Sequence, residues 1–457
     1  MEKHKGDYYA PLEKTFQRIA TPFEQFIHNQ SASGLLLIAT TILALVLANS
    51  AAAHVYEGLL HTHFTLTLGP WTLDHTIHHW INDGLMALFF FVVGLEIKRE
   101  ILVGELASIQ RAIVPIFAAV GGMVVPALIY VALNPGGPAA SGWAIPMATD
   151  IAFAVGILVL LGRRVPSGLL TFLVGLAIVD DLGAVLVIAL FYTKDIALGA
   201  LGLAGVWLAV LIAFNLLGIR RPLPYFLVGG LLWLAMLSSG IHATIAGILT
   251  AWTIPARAKF DPRTFSQLVR ELMDRFDHKA EPGKGLMQKP EQHALVQTLE
   301  NGVHYVETPL QRLEHAFHVP VALLVIPIFA LANAGIPLHL DTLGAALTNN
   351  LTLGIIAGLV IGKTLGIAGF ALLAVRLGIG SLPAGTTPAQ IMGVGLIGGI
   401  GFTMSIFIAE LGFSGQEQQI VLAKMGILTA SLIAGIGGMA WLAFVTRGRP
   451  AAAAEAE

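Results

Sequence analysis

The sequence contains no cysteine and few charged residues. Of its 457 residues, 12% are charged and 56% are hydrophobic, and the mean hydropathy is +0.77. Globular domains average about 25% charged residues, so a soluble enzyme is excluded as the default interpretation. The lack of cysteine excludes disulfides, thiolate nucleophiles and cysteine-ligated zinc or iron–sulfur sites. The net charge of −2 provides no basic surface for nucleic acid, and the composition indicates a membrane protein.

Twelve apolar segments are candidates for membrane-spanning helices. About 20 apolar residues cross the hydrocarbon core as a helix, in which each backbone group is satisfied within its own segment. The segments are residues 33–53, 80–97, 112–133, 143–161, 168–192, 196–218, 224–237, 241–255, 319–337, 351–375, 389–412 and 420–446. The pattern therefore predicts an all-α membrane protein with about twelve transmembrane helices.

The positions of lysine and arginine predict the orientation of these helices. Cytoplasmic loops of membrane proteins carry an excess of both residues. If the N-terminus is inside, 23 of the 26 basic residues fall in inside segments, and the outside loops hold only Lys194 and Lys424. The remaining cation, Lys363, falls within a span. Both termini are therefore expected in the cytoplasm. The predicted organisation is a tail at 1–32, spans at 33–255 and 319–446, a cytoplasmic loop at 256–318 and a tail at 447–457.

Two segments outside the predicted spans have patterns of their own. In the first outside loop, alternation of Phe64, Leu66 and Leu68 before a Gly-Pro pair predicts a small extracytoplasmic β-hairpin. Five histidines in this loop are compatible with a metal site, but no carboxylate or helical spacing supports one, and a solvated loop is the simpler interpretation. They are His61, His63, His75, His78 and His79. The loop at 256–318 has nine basic and nine acidic residues and one amphipathic stretch, at 264–276.

Four ionisable residues lie near the middle of predicted spans, namely Asp150, Asp180, Asp181 and Lys363. Such residues are costly inside a membrane, and they usually line a water-filled path or pair with one another. One lysine cannot neutralise three aspartates, so an inert ion pair does not explain the surplus. The adjacent pair Asp180 and Asp181 resists double ionisation, because like charges and burial both favour the protonated form. The pattern predicts a site that exchanges protons for a small cation.

Prolines and glycines interrupt the fourth and eleventh predicted spans. In the fourth span a proline and Thr149 precede Asp150, and in the eleventh five glycines fall within 393–401. Paired interruptions in two halves of a chain mark the binding site of a secondary transporter. We therefore predict inverted repeats at spans 3–5 and 10–12, with spans 4 and 11 as interrupted, crossing helices. Asp150 and Lys363 would compensate the half-helix ends. Glycines at four-residue spacing across 354–366 predict close helix packing around Lys363.

Seven ordered stretches resemble the NhaA-type Na+/H+ antiporters, a family of inverted-repeat transporters. They are WIND at 80–83, VGLEIKRE at 93–100, GWAIPMATDIAFA at 142–154, LAIVDDLGA at 176–184, SGIHAT at 239–244, IGKTLGI at 361–367 and GIGFTMSIF at 399–407. The resemblance covers about 30–446, apart from much of the long inside loop. This chain departs from the family in the length of that loop and in Thr364, where a proline often follows the lysine.

The resemblance implies roles for the residues of the mid-membrane site. Asp180 and Asp181 would bind Na+ or protons, with Asp181 as the central ligand. Asp150 and Thr149 would lie beside them in the unwound fourth span. Lys363 would balance helix ends and pair with Asp180. The resemblance leaves open whether this lysine also carries a transported proton.

The resemblance also implies residues with a role in pH response. They are Glu96, Glu100, Glu314, His315, His318 and His242. Solvated helix ends would explain the first five equally well, and a polar interface would explain His242. The hairpin resembles the family's dimer contact. Glu410 adds a carboxylate near the end of the eleventh span, and two interpretations remain open, a surface feature or a modifier of ion access.

The residues and the resemblance together predict a secondary transporter rather than an enzyme. We expect an electrogenic antiporter in the bacterial inner membrane that exports Na+ or Li+ in exchange for H+, without a cofactor. It would be a homodimer with pH regulation and would serve pH and sodium homeostasis. Two other classes remain: an intramembrane aspartyl protease, whose usual G-x-G-D pattern is absent, and a passive cation channel, which broken helices also allow.

Overall fold

The computed structural model describes residues 30–69, 71–193, 196–278, 290–337, 344 and 346–447. The chain divides into two compact units. Unit 1 contains the described residues within 30–89, 103–193 and 319–447, and unit 2 contains those within 90–102 and 196–318. The predicted tails at 1–32 and 447–457 lie almost entirely outside the described residues, and the predicted domain boundaries stay predictions.

Unit 1 begins with two helices that meet at a sharp bend. Helix α1, Gln30–Ala48, and helix α2, Ala53–His61, are bent by 108° relative to each other. The Asn49 side chain follows α1 and donates to the carbonyl oxygens of Leu45 and Ile336, each at 2.8 Å. The first predicted span, 33–53, therefore ends several residues earlier than expected. Helix α2 was not predicted.

The predicted β-hairpin is confirmed. Strands β1, His63–Leu68, and β2, Trp71–Thr76, pair antiparallel with Leu66 opposite Leu73. Gly69 has a φ of +61°, a turn conformation that side chains with a Cβ rarely adopt. A helical turn at Ile77–His79, a π-helical turn at Trp80–Leu85 and helix α3, Met86–Leu102, follow β2 directly. The side of the membrane on which the hairpin lies stays a prediction.

The rest of unit 1 is helical. After α3 come α4, Ile109–Leu133, a 3₁₀ helix at Pro138–Met147, α5, Ile151–Leu160, and α6, Ser167–Phe191. The short 3₁₀ turns are Glu105–Ala107 and Gly162–Arg164. Four later helices belong to this unit as well: α13, Asn350–Arg376, α14, Pro388–Ile397, α15, Phe402–Gly412, and α16, Glu417–Val445.

Unit 2 contains most of α3 and five complete helices. They are α7, Leu198–Leu216, α8, Pro222–Leu237, α9, Ile245–Thr253, α10, Pro262–His278, and α11, Pro290–Val306. Helix α12, Pro309–Asn333, begins in unit 2 and ends in unit 1. The amphipathic stretch at 264–276 is confirmed as part of α10, which buries Leu272. Helix α11 was not predicted, and α12 begins ten residues before the predicted span at 319–337.

Helices α4 and α13 approach each other closely in unit 1. A Cβ at Gly366 would overlap the carbonyl oxygen of Gly121, and a Cβ at Gly362 would lie 2.8 Å from the Cα of Pro126. The close packing predicted from the glycine spacing is thus observed. Because the backbones nearly touch, side chains on both helices are held in fixed positions around Lys363.

Six helices in the described residues are long and apolar enough to cross a membrane. They are α4, α6, α7, α12, α13 and α16. Three bent helix pairs meet the same criteria when each pair is taken as one span, which gives up to nine. Helices α8 and α9 are shorter than a bilayer requires. The count of twelve spans and the inverted repeats therefore stay predictions.

Candidate ion-binding site

The interruptions predicted in the fourth and eleventh spans are present in unit 1. Residues 148–150 separate the 3₁₀ helix from α5 with a bend of 41°, and residues 398–401 separate α14 from α15 with a bend of 49°. The two breaks are bonded to each other. The Asp150 N–H donates to the Ile400 carbonyl at 2.7 Å, and the Thr149 hydroxyl donates to the Gly398 carbonyl at 2.9 Å. Each break therefore satisfies backbone groups of the other, as an apolar environment requires.

The glycines of the eleventh span allow its backbone to lie against α13. A Cβ at Gly395 would lie 3.0 Å from the Thr364 carbonyl oxygen, and a Cβ at Gly399 would overlap the Leu359 carbonyl oxygen. Larger residues at either position would push the break away from α13. The glycine-rich sequence thus holds the break against the helix that carries Lys363.

The Asp150 carboxylate lies at the N-terminal ends of two helices. Its Oδ1 accepts the Phe153 N–H of α5 at 3.1 Å. Its Oδ2 accepts both the N–H and the hydroxyl of Thr403, at 3.1 and 2.5 Å, at the start of α15. Only 2% of Asp150 is exposed. A carboxylate in this position compensates the positive ends of both helix dipoles, which is the role expected for it.

Lys363 and Asp180 form a buried ion pair between α13 and α6. The Lys363 Nζ donates to Asp180 Oδ2 at 2.7 Å, and the two side chains are 0% and 1% exposed. Thr149 from the fourth-span break adjoins the same carboxylate. The structure therefore brings together the lysine, the aspartate and the threonine that the sequence indicated.

Asp181 lies beside this ion pair. It follows Asp180 in α6, so the two side chains point about 100° apart around the helix. Asp181 is 3% exposed and close enough to Lys363 to act on it electrostatically. Unit 1 thus concentrates three carboxylates, one ammonium group and the carbonyl groups of two helix breaks. Carboxylate, hydroxyl and carbonyl oxygens are the donors that hard cations prefer.

The described residues contain no group of three or more histidine, aspartate or glutamate side chains placed to hold a metal ion. The expectation that no carboxylate accompanies the histidines of the first loop is wrong, because His63 contacts Asp74 at 2.9 Å. The rings of His75 and His79 stack with centroids 4.2 Å apart. The metal site considered for this loop therefore has no cluster to support it. Binding of Na+ by Asp180 and Asp181 stays a prediction.

Four of the predicted pH-response residues occur together in unit 2 with one additional residue, Arg99. On α3, Glu96 and Glu100 are four residues apart and share a face, as do Glu314 and His318 on α12. The Arg99 guanidinium lies 2.9 Å from Glu100 and 2.9 Å from Glu314. The imidazole of His318 lies 3.4 Å from the Glu96 carboxylate. We call these five side chains the Arg99 cluster.

The other two predicted pH-response residues are His315 and His242. The side chain of His315 is exposed on α12. His242 precedes α9, and its Nδ1 lies 2.8 Å from the Thr244 hydroxyl. For both residues the role in pH response stays a prediction.

Sequence reasoning missed the contacts of three residues in these sites. Thr403 falls within the stretch at 399–407 and Arg99 within the stretch at 93–100, and neither was given a role. Lys424 was counted with the outside loops although it falls inside the predicted span at 420–446. The loop assignment is wrong, because Lys424 lies within α16, is 7% exposed and pairs with Glu410 at 2.7 Å. The signal that could have found this pair is the position of Glu410 and Lys424 near the facing ends of adjacent spans.

Apolar helices of membrane-spanning length, broken around buried charges, are features of multi-pass membrane transporters. The sequence profile of the family described as Na+/H+ antiporter 1 matches residues 24–442 of this chain. A Na(+)/H(+) antiporter NhaA from Sulfurimonas denitrificans is 52% identical, over 96% of this chain and 99% of the relative. A Na(+)/H(+) antiporter NhaA 1 from Saccharophagus degradans is 52% identical, over 94% of this chain and 93% of the relative. A Na(+)/H(+) antiporter NhaA from Syntrophobacter fumaroxidans is 50% identical, over 98% of this chain and 96% of the relative.

This chain therefore belongs to the Na+/H+ antiporter 1 family. The resemblance inferred from seven short stretches is confirmed across nearly the whole sequence. Family membership and the apolar helices together make it a multi-pass membrane protein.

Proposed function

We propose that this protein is an electrogenic antiporter of the bacterial inner membrane that exports Na+ or Li+ in exchange for protons. One observation carries the proposal: three buried aspartates and one buried lysine surround two helix breaks that are bonded to each other. The family to which the chain belongs supports the same exchange. The protein would be a transporter rather than an enzyme and would need no cofactor.

Asp181 and Asp180 are the proposed ion- and proton-binding groups. Over one cycle both carboxylates take up and release a proton, and in their ionised form they offer oxygen ligands to Na+ or Li+, with Asp181 as the central ligand. The hydroxyl of Thr149 and carbonyls of the breaks are further oxygen donors. The Asp180–Lys363 contact at 2.7 Å gives the lysine a position from which it can replace the cation as the partner of Asp180.

Two protons exchanged for one monovalent cation would move one net charge across the membrane. The membrane potential then contributes about 2.3 kcal/mol per charge for each 100 mV. Asp150 would keep the two helix breaks together during the cycle, since it accepts hydrogen bonds from both α5 and α15. Alternating access would follow from movement of helices around this fixed site.

The Arg99 cluster is the proposed site of pH regulation, together with His315 and His242. Histidine has an ordinary pKa near 6.5, so it changes charge in the range where such a transporter would respond. Protonation of His318 would strengthen its attraction to Glu96, 3.4 Å away. We also propose that the protein is a homodimer and serves pH and sodium homeostasis.

The proposal is tested with purified protein in vesicles that carry a pH-sensitive dye. We expect Na+ or Li+ added to vesicles with an imposed pH gradient to cause proton movement. K+ is the comparison cation. Asp181→Asn should abolish this movement while the protein still inserts. Asp74→Asn changes an exposed aspartate of the hairpin and should leave the rate unchanged.

Each outcome separates the proposed function from its alternatives. Unimpaired sodium-dependent proton movement by Asp181→Asn would overturn the assignment of the site. Sodium current without proton movement in the unchanged protein would favour a passive channel. Cleavage of a membrane peptide by the purified protein would favour an intramembrane protease.

A further inference from the structure

The 3₁₀ helix that leads into the fourth-span break is unusually long. It covers ten residues, Pro138–Met147, whereas 3₁₀ helices rarely run beyond about four residues because their hydrogen bonds have poor geometry. Its own backbone bonds are therefore a weak support for a segment that ends beside Thr149 and Asp150. Contacts with other parts of unit 1 must help to hold it in place.

Two tyrosines hold the first half of this 3₁₀ helix. The Tyr130 hydroxyl on α4 donates to the Ala139 carbonyl at 2.7 Å. The Tyr192 hydroxyl, directly after α6, donates to the Ser141 carbonyl at 2.8 Å. Both bonds are made at the end of the helix that is far from the break.

A serine holds the last turn of the same helix, next to the break. The Oγ of Ser405 on α15 donates to the Ile145 carbonyl at 2.8 Å, and Ser405 is 0% exposed. The hydroxyl fits in this position because residue 401 is glycine, and a Cβ at Gly401 would overlap Ser405 Oγ. A buried carbonyl that loses a hydrogen-bond partner is destabilised where it lies. The position of the last turn therefore depends on Ser405.

Helix α15 thereby fixes the fourth-span break on both sides. Ser405 bonds to the last turn before the break, and Thr403 on the same helix bonds to Asp150 with both its N–H and its hydroxyl. Thr149 lies between these two anchors, and its hydroxyl donates to the Gly398 carbonyl at 2.9 Å. The segment between the anchors cannot shift along α15 unless one of these hydrogen bonds breaks.

We propose that Ser405 is a positioning residue for the cation site. It keeps the last turn of the 3₁₀ helix in place, so that the Thr149 oxygen and the carbonyls of the break stay where they can bind Na+ or Li+ together with the aspartates. Without the hydroxyl the last turn can shift, and these oxygen donors lose the spacing that the ion requires. Ser405 acts through the Ile145 carbonyl and does not bind the ion itself. This inference rests on the proposed antiport function and adds a residue to its site.

Loss of Ser405 should weaken ion binding more than it slows turnover. Groups that orient the ligands of a metal ion typically contribute about 10–100-fold to its affinity or to activity. The aspartates, Lys363 and the bonds of Thr403 to Asp150 all remain when the serine hydroxyl is removed. The protein can therefore still complete the cycle once an ion is bound.

The test compares variants of the full-length protein that each remove one hydroxyl from the 3₁₀ helix. Ser405→Ala removes the bond beside the break. Tyr192→Phe is the matched control, because it removes a bond at the far end, where Tyr130 still holds the helix. Exchange in vesicles at fixed pH gives the maximal rate and the half-saturating Na+ concentration, and isothermal titration calorimetry in detergent gives the Na+ dissociation constant.

Thermal unfolding in detergent verifies that each variant is folded. If Ser405→Ala is unfolded, Ser405→Cys takes its place, because a thiol has a similar shape and is a weaker donor than a hydroxyl. We expect Ser405→Ala to raise the half-saturating Na+ concentration and the dissociation constant at least about tenfold, with a nearly unchanged maximal rate. Ser405→Cys should raise both by a smaller factor. Tyr192→Phe should equal the unchanged protein in all three quantities.

Three results would overturn the inference while leaving the antiport function intact. The first is an unchanged Na+ dissociation constant in the folded serine variant. The second is an equal loss of affinity in Tyr192→Phe, which would assign the effect to the 3₁₀ helix as a whole. The third is a fall in the maximal rate without a change in the dissociation constant, which indicates a structural role only. Absence of exchange in the unchanged protein would overturn the proposed function itself, and the inference would fall with it.

Discussion

The two charged clusters assigned to ion binding and pH regulation differ in how they hold their charges. In unit 1, Lys363 and Asp180 are 0% and 1% exposed and share one hydrogen bond of 2.7 Å. In unit 2, Arg99 is 37% exposed and contacts two carboxylates. Solvent reaches the Arg99 side chain and screens its charge in part, although its partner Glu100 is only 7% exposed. A fully buried pair has no such screening, and removal of one member leaves an uncompensated charge.

Removal of the buried lysine should have the largest effect on stability. Lys363→Gln leaves the Asp180 carboxylate in the core of unit 1 without its counter-charge. Loss of one member of a buried pair costs about 3–5 kcal/mol, and we expect the free energy of unfolding to fall by that amount. Thermal unfolding in detergent at neutral pH, followed by intrinsic fluorescence, measures this change.

The double variant Asp180→Asn with Lys363→Gln is the control for that measurement. It replaces both charges with neutral amides, which can still bond to each other at the same position. We expect the double variant to recover a large part of the stability that Lys363→Gln loses. If both variants are equally unstable, the loss comes from packing around the lysine and not from an uncompensated charge.

The buried charges and the helix breaks could be predicted from the sequence because they violate its dominant pattern. Asp180, Asp181 and Lys363 interrupt apolar runs, and clustered glycine and proline mark the breaks of the fourth and eleventh spans. Phe64, Leu66 and Leu68 alternate with the two-residue period of a strand, and this alternation predicted the hairpin. Each of these signals is local, so a single sequence carries it.

Contacts between distant residues could not be predicted in the same way. Thr403 bonds to Asp150 across 253 positions of the chain, and no periodicity relates the two. Lys424 was counted with the loop residues although it falls near the start of the predicted span at 420–446, because a lysine at the end of a span has the same pattern whether it is solvated or paired. Helix α2 and the end of α1 depend on the bonds that Asn49 forms with Leu45 and Ile336. These features arise only once helices pack.

The packing that surrounds the buried pair can be tested with two glycines of the same helix. Gly366→Ala places a methyl group against the backbone of Gly121, whereas Gly369→Ala meets nothing within 4 Å. Overpacking costs about 1–3 kcal/mol, so we expect Gly366→Ala to be destabilised by that amount. Alanine favours a helix by up to about 1 kcal/mol over glycine, so Gly369→Ala should be equal or more stable. Equal unfolding temperatures for the two variants would show that α4 and α13 do not pack tightly here.

Replacement of the arginine in unit 2 should have a smaller effect. Arg99→Gln removes both ion pairs of the cluster, and it takes this counter-charge from Glu100, which is 7% exposed. We therefore expect the free energy of unfolding to fall by about 1–3 kcal/mol, between the values for an exposed pair and a buried pair. Arg275→Gln is the matched control, because Arg275 pairs with Glu271 on the surface of α10 with both side chains more than half exposed. The free energy of unfolding of Arg275→Gln should fall by about 0.3–0.5 kcal/mol. If Arg99→Gln were as damaging as Lys363→Gln, the contrast between the two clusters would be wrong.

The hairpin of unit 1 should show the smallest effect, since the side chains of Asp74 and His63 are more than half exposed. The pKa of Asp74 is lowered because the Thr65 hydroxyl donates to the carboxylate at 2.7 Å and because His63 lies 2.9 Å away. A lowered carboxylate pKa stabilises the folded form above the ordinary value of 3.8, and this contribution is lost as the pH falls below it. We therefore expect amide hydrogen exchange in 63–76, corrected for intrinsic rates, to be faster near pH 3 than near pH 5. Asp74→Asn can still accept from Thr65 but does not titrate, so it should lose this pH dependence. The same acceleration in Asp74→Asn would mean that low pH loosens the hairpin through another group.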